Sequence, residues 1–144
     1  MNWADAQRYC REKYIDLATF ESVDDVRMVT AGTDSWIGLH DDPQSWKDSM
    51  GNDTNSWRWS ATGETSKTGY QRWAPNEPAG SEENEMCAQM LATGEWDDYG
   101  CEARSDLSFV CYTGEKLRVQ GFYKLNVFVY RKCHKYCSRL CIYV

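Results

Sequence analysis

Acidic side chains, among them Glu77, Glu82, Glu83, Glu85, Asp97 and Asp98, crowd the stretch from Trp73 to Cys111, which also holds Pro75, Pro78, Cys87, Cys101 and Cys111. Carboxylates are hard oxygen donors, and calcium takes roughly six to eight such oxygens at loose geometry. Glu77, Glu85, Asp97 and Asp98 can supply four carboxylates, with backbone carbonyls or water completing the set. The competing reading is solvated surface, where most acids lie. Paired acids also serve glycosidases, but that chemistry needs one pKa pushed away from the other, whereas acids gathered around one ion ionise together. The only histidines are His40 and His134, so an enzyme is not expected.

The chain of 144 residues is long enough for one domain with a real core. Aromatic residues make up 14%, including seven Trp and nine Tyr, which points to dense aromatic packing. Charge is unevenly spread. Residues 115–144 hold seven Lys or Arg against one Glu, a balance of +6, so the whole-chain −6 leaves −12 on residues 1–114. An acidic body of this kind excludes a nucleic-acid partner, which requires a concentrated basic face, and suits a cation. Seven cysteines point to an oxidising compartment, hence a secreted protein or the outer face of a membrane protein. Met1 leads directly into NWADAQRYC without a signal-peptide pattern, and no apolar run is long enough to cross a membrane, so no membrane insertion is expected.

Positioning the acids requires a scaffold. Asn2 can cap a helix running to about Tyr14, with Trp3, Ala6, Tyr9, Cys10 and Tyr14 on one face. Ser22 caps a second helix, with Asp24 and Asp25 in its positive first turn and Val23, Val26 and Val29 directed inward. Trp36-Ile37-Gly38-Leu39 reads as a buried strand. His40 to Gln71 is polar and turn-rich, interrupted by the alternating strand around Trp57 and Trp59, and a loop of that length is usually a functional rim. It contains the sequon Asn52-Asp53-Thr54. Cys87 to Leu91 and Phe109 to Tyr112 read as core strands.

Glu77-Pro78-Ala79, Asn84-Glu85-Met86-Cys87 and Trp96-Asp97-Asp98, in that order, resemble the sugar-binding core of a C-type lectin-like domain. Glu77 precedes Cys87 by ten residues and Asp98 precedes Cys101 by three, as in mannose-binding members. With Cys10 and Trp36-Ile37-Gly38-Leu39 included, the resemblance covers Asn2 to Thr113. It implies an α+β fold, a C-type lectin-like fold in which two helices flank small antiparallel sheets and a long loop carries the calcium site. It implies disulfides Cys10–Cys111 and Cys87–Cys101, against the alternative that Cys10 is a buried free thiol. It implies calcium held by Glu77, Glu85, Asp97 and Asp98, a cis bond before Pro78, and sugar bound by the same four residues. Two vicinal hydroxyls then coordinate the ion, each donating to an acid and accepting from an Asn amide. Members normally have a further strand, and often a signal peptide, ahead of the first helix, so the N-terminal strand is expected to be missing.

The sequence departs from the family pattern at two positions. Ala79 stands where the family has the Asn of Glu-Pro-Asn, and Asp97 where it has the Asn of Trp-Asn-Asp. Both amide donors are lost, because an ionised carboxylate only accepts. Met86, where many members have Asp, removes a ligand of an auxiliary calcium site. Two partner classes follow: a glycan, with Glu77 leaning to mannose-type ligands, or a protein ligand bound by a fold whose sugar site has degenerated. Ice binding is known on this fold, but no residue here points to it. The lectin-like domain is assigned to residues 1–113. Residues 114–144 form a basic, strand-like tail whose Cys133, Cys137 and Cys141 would share one face of a helix. That tail is open to zinc binding with His134, to an interchain bond, or to no selected function.

Overall fold

The computed structural model describes residues 1–144 except 28, 30–32, 43–55, 81–83, 104–105, 120–121, 133–139 and 144; from residue 115 onward the description is of the backbone. The sequon at Asn52, the acids Glu82 and Glu83, and Cys133, His134 and Cys137 lie outside the described residues. The elements in order are α1 (Trp3–Lys13), β1 (Asp16–Leu17), α2 (Val23–Arg27), β2 (Ser35–Asp41), β3 (Trp57–Trp59), β4 (Cys87–Met90), β5 (Trp96–Tyr99), β6 (Ser108–Val119), β7 (Phe122–Lys132) and β8 (Leu140–Tyr143).

Helix α1 begins where Asn2 Oδ1 accepts from the Asp5 amide at 2.8 Å, and it buries Trp3, Ala6 and Cys10. The Trp3 indole donates to the Ile37 carbonyl at 2.8 Å, fixing the helix to β2. In α2, Ser22 Oγ accepts from the Asp25 amide at 3.2 Å. Val26 and Val29 are buried as expected, but Val23 is 37% exposed. The reason is length: a five-residue helix has one inward stripe, which Val26 fills, and Val23 sits at its outer end.

The described strands form one connected mixed sheet in the order β5-β4-β2-β6-β7-β8, with β3 attached to β2 and β1 to β6. All pairings are antiparallel except β2 with β6, where Ser35 and Trp36 lie beside Ser108 and Phe109 in parallel. Side chains alternate across a strand, and here both faces are covered. Trp36, Cys87, Phe109 and Cys111 join Trp3, Ala6, Cys10 and Leu17 on the α1 side. Ile37, Leu39, Ala88, Met90 and Val110 join Phe20, Val26, Trp57, Trp59 and Trp96 on the other. Gly38 is required by close backbone approach. A Cβ there would lie 3.0 Å from the Leu17 carbonyl oxygen and 3.1 Å from that of Ala18. The Gly38 amide in fact donates to the Ala18 carbonyl at 2.9 Å.

Disulfides join Cys10 to Cys111 and Cys87 to Cys101, which answers the question of Cys10 in favour of a bonded cysteine. The described residues of the basic tail lie mostly in strands, with β6 running on past residue 113 and pairing with β7 from Phe109↔Tyr130 to Val119↔Phe122. Cys141 lies within β8 opposite Arg131, so the helical grouping of the three tail cysteines does not hold for it. The residue types of this segment are β-branched and aromatic, and strand pairing suits them better than a helix. Among the described residues, no helix is long and apolar enough to cross a membrane.

Candidate functional site

The acidic loop rests on an aromatic base. Trp96 is 1% exposed and packs edge-on against Trp59, Tyr70 and Trp73, with ring centroids 5.5, 5.6 and 5.9 Å away. Trp57 adds a further contact to Trp73 at 4.8 Å. The outer edge of β5 captures the incoming loop through its backbone: the Trp96 amide donates to the Arg72 carbonyl at 2.7 Å, and the Ala74 amide donates to the Trp96 carbonyl at 2.8 Å. These contacts bring the Glu77 region alongside Asp97 and Asp98, which follow Trp96 directly.

Strand β5 is held by a tight hairpin to β4. Gly94 takes φ +87°, a conformation that favours glycine, and its amide donates to the Leu91 carbonyl at 2.8 Å. The resulting register sets Ala88 opposite Asp98 and Gln89 opposite Asp97. Cys87–Cys101 closes the far end of the same hairpin.

At the loop itself, the peptide bond between Glu77 and Pro78 is cis, and Asn76 and Asn84 take positive φ. The Ala79 and Gly80 amides donate to Asp98 Oδ1 and Oδ2, each at 2.9 Å, so both oxygens of a carboxylate only 3% exposed are satisfied by backbone. The Ala79 amide also reaches Glu77 Oε2 at 2.9 Å. Asp97 Oδ2 accepts from the Gln89 side-chain amide at 2.8 Å. One carboxylate oxygen from each of Glu77, Asp97 and Asp98 lies within 4.8 Å of the other two. With calcium–oxygen bonds of about 2.3–2.6 Å, opposite ligands sit at most about 5 Å apart, so three hard oxygens at this spacing fit one coordination sphere. Glu85, the fourth predicted ligand, falls outside this trio and acts on Asp97 through its charge.

The crowding leaves an electrostatic signature. The Glu77 carboxyl is pushed up to about 7, chiefly by the hydrogen bond it shares with Asp98, then by burial and the Asp98 charge, against the lowering effect of the Ala79 amide. Asp97 is raised by burial, against the lowering effect of the Gln89 amide, with further upward contributions from the charges of Asp98, Glu85 and Asp34. A group whose folded pKa exceeds its unfolded value stabilises the fold below the unfolded pKa and loses that contribution as pH rises through the folded one. Chelator-treated protein should therefore lose stability between about pH 4.5 and 7 because of Glu77. Glu77→Gln should remove that part of the pH dependence, which denaturant unfolding of both proteins at pH 5 and pH 8 will measure.

Two contributors were not foreseen from the sequence: Gln89, and the amides of Ala79 and Gly80. The Gln89–Asp97 pair had a readable signal, because counting outward from the Leu91–Glu95 turn sets them opposite one another. The amide clamp on Asp98 depends on the course of the loop and had none.

A family model described as the lectin C-type domain matches residues 1–113. Asialoglycoprotein receptor 1 of Pongo abelii is 31% identical over 108 residues, covering 69% of this chain and 33% of that protein. The chain spans about a third of the length of several curated relatives it matches. Among solved structures, the carbohydrate-recognition domain of cow CD23, crystallised in the presence of a GlcNAc2Man3 oligosaccharide, superposes with a TM-score of 0.56 at 25% identity, covering 70% of this chain and 71% of that one. A calcium-independent type II antifreeze protein superposes with a TM-score of 0.55 at 25% identity, covering 72% of each chain.

Proposed function

The chain belongs to the C-type lectin domain family, a family of lectin domains rather than enzymes, and from that premise we propose that it is a calcium-dependent carbohydrate-binding domain with Glu77, Glu85, Asp97 and Asp98 as its ligand set. The observation that carries the proposal is the convergence of Glu77, Asp97 and Asp98 within 4.8 Å on a loop anchored to β5. Bound calcium would supply direct coordination of two vicinal hydroxyls of a sugar. The protein's own part is to accept hydrogen bonds from those hydroxyls through Glu77, Glu85, Asp97 and Asp98. Asp98 is already held by two backbone amides, so it needs no rearrangement to serve. A mannose-type ligand is the preferred class, on the strength of Glu77 and of the mannose-containing oligosaccharide present with the cow CD23 domain. Two disulfides support a secreted or cell-surface location.

Ala79 and Asp97 favour a second reading, a protein ligand on the same fold. Neither side chain donates a hydrogen bond, and one oxygen of Asp97 is committed to Gln89. Restoring the donors separates the readings. Each amide is worth on the order of 1 kcal/mol, so Ala79→Asn with Asp97→Asn should tighten mannan binding by roughly 30-fold over the unaltered protein. Mannan retained by the unaltered protein in calcium and released by chelator supports the lectin reading. Retention by the double variant alone supports the protein-ligand reading.

A further inference from the structure

Gln89 lies on β4, not on the acidic loop, and only 3% of it is exposed. It stands directly opposite Asp97 in the β4–β5 register, and its side-chain nitrogen donates to Asp97 Oδ2 at 2.8 Å. Its own carbonyl oxygen, Oε1, is buried with no hydrogen-bond partner. A half-satisfied buried amide is a poor choice for stability alone, because an apolar side chain of the same shape would avoid the unpaired acceptor. The neighbouring β4 positions are apolar and well buried: Ala88 is 0% and Met90 0% exposed. A buried amide among them, with its one bond directed at the carboxylate that replaces a neutral amide in the family pattern, belongs to the site more than to the core.

We propose that Gln89 is a positioning residue: it fixes the rotamer of Asp97 from the adjacent strand and thereby sets the calcium affinity of the loop. This deepens the calcium reading and rests on it. Groups that orient a metal ligand through a hydrogen bond typically change affinity by about 10- to 100-fold when removed. Gln89→Met preserves volume and removes the amide.

The test is calcium titration by calorimetry on the full chain, comparing the unaltered protein, Gln89→Met, Asp97→Ala and the double variant, with thermal melts of each in chelator. The expected result for Gln89→Met is a calcium affinity lowered by about 10-fold or more, with a melting temperature unchanged or raised. In the Asp97→Ala background the same substitution should change affinity by less than about twofold, because the side chain it orients is gone. Unchanged or tighter calcium binding by Gln89→Met overturns the inference and leaves the calcium site standing. An equal loss in both backgrounds, or a loss that tracks a lowered melting temperature, also overturns it, since the effect would then come through the fold. Absence of calcium binding by the folded, unaltered protein overturns both the inference and the reading beneath it.

Discussion

Glu77→Gln and Asp98→Asn are each expected to lower calcium affinity by at least about 100-fold, because each would remove a charged ligand from the proposed set of only a few. The two variants are expected to differ in every other respect. Glu77→Gln relieves a crowded pair: the Glu77 carboxyl shares a hydrogen bond with Asp98 and is raised to about 7, so neutralising it costs the calcium-free fold nothing above that pH. Asp98→Asn disturbs the loop as well. An amide has one acceptor oxygen where the carboxylate has two, so one of the Ala79 and Gly80 amides loses its bond to residue 98, and Gly80, unlike Ala79, has no second bond to Glu77 to fall back on. That loss is worth about 1–3 kcal/mol if the amide stays buried. Calorimetry for affinity and denaturant unfolding in chelator for stability will separate the two effects. Loss of calcium binding with no loss of stability above pH 7 is predicted for Glu77→Gln alone.

Replacing Cys10 and Cys111 together by alanine is expected to have the largest effect on stability. The bond spans 101 residues and joins α1 to β6, the first helix to a central strand. In the chain-entropy model a loop of that size contributes about 4–5 kcal/mol by restricting the unfolded chain. Single domains are stable by only about 5–15 kcal/mol, so most or all of the margin is at stake. The expected fall in melting temperature is on the order of 15 °C, and the variant should be substantially unfolded at 37 °C if the starting margin is low. Removal of Cys87–Cys101, which spans 14 residues, should cost less, about 3 kcal/mol, but should act directly on the acidic site because it closes the β4–β5 hairpin. Thermal unfolding followed by near-ultraviolet circular dichroism, with seven Trp as reporters, checks both.

Much of this architecture could be read from the residues before any coordinates, and each part for a physical reason. The apolar positions Trp3, Ala6 and Cys10 recur at helical spacing, and Asn2 precedes them as a cap, so α1 was legible at both its start and its buried face. Trp36 to Leu39 was legible as a strand because an uninterrupted apolar run of that length suits a sheet covered on both sides. The acids of the site were legible as types and spacings. Their convergence was not, because it depends on backbone: the bond between Arg72 and Trp96 that docks the loop, and the amides of Ala79 and Gly80 that orient Asp98. Val23 misled for a related reason. Its spacing to Val26 suits an inward stripe, but Val23 is the first residue of a five-residue helix, and spacing does not say how far along its length a helix is covered by the core. In the tail, four-residue cysteine spacing suggested a helical face, whereas pairing with β7 places Cys141 in a strand. Spacing alone does not decide between the two periods when a partner strand is at hand.

The most direct test of the central claim is calorimetric titration of calcium into the chelator-treated full chain at pH 7.5, with Glu77→Gln as the control. Saturable binding by the unaltered protein, lost in Glu77→Gln while both remain folded, is the expected result. A folded protein that takes up no calcium, or one whose calcium binding is untouched by Glu77→Gln, would contradict it.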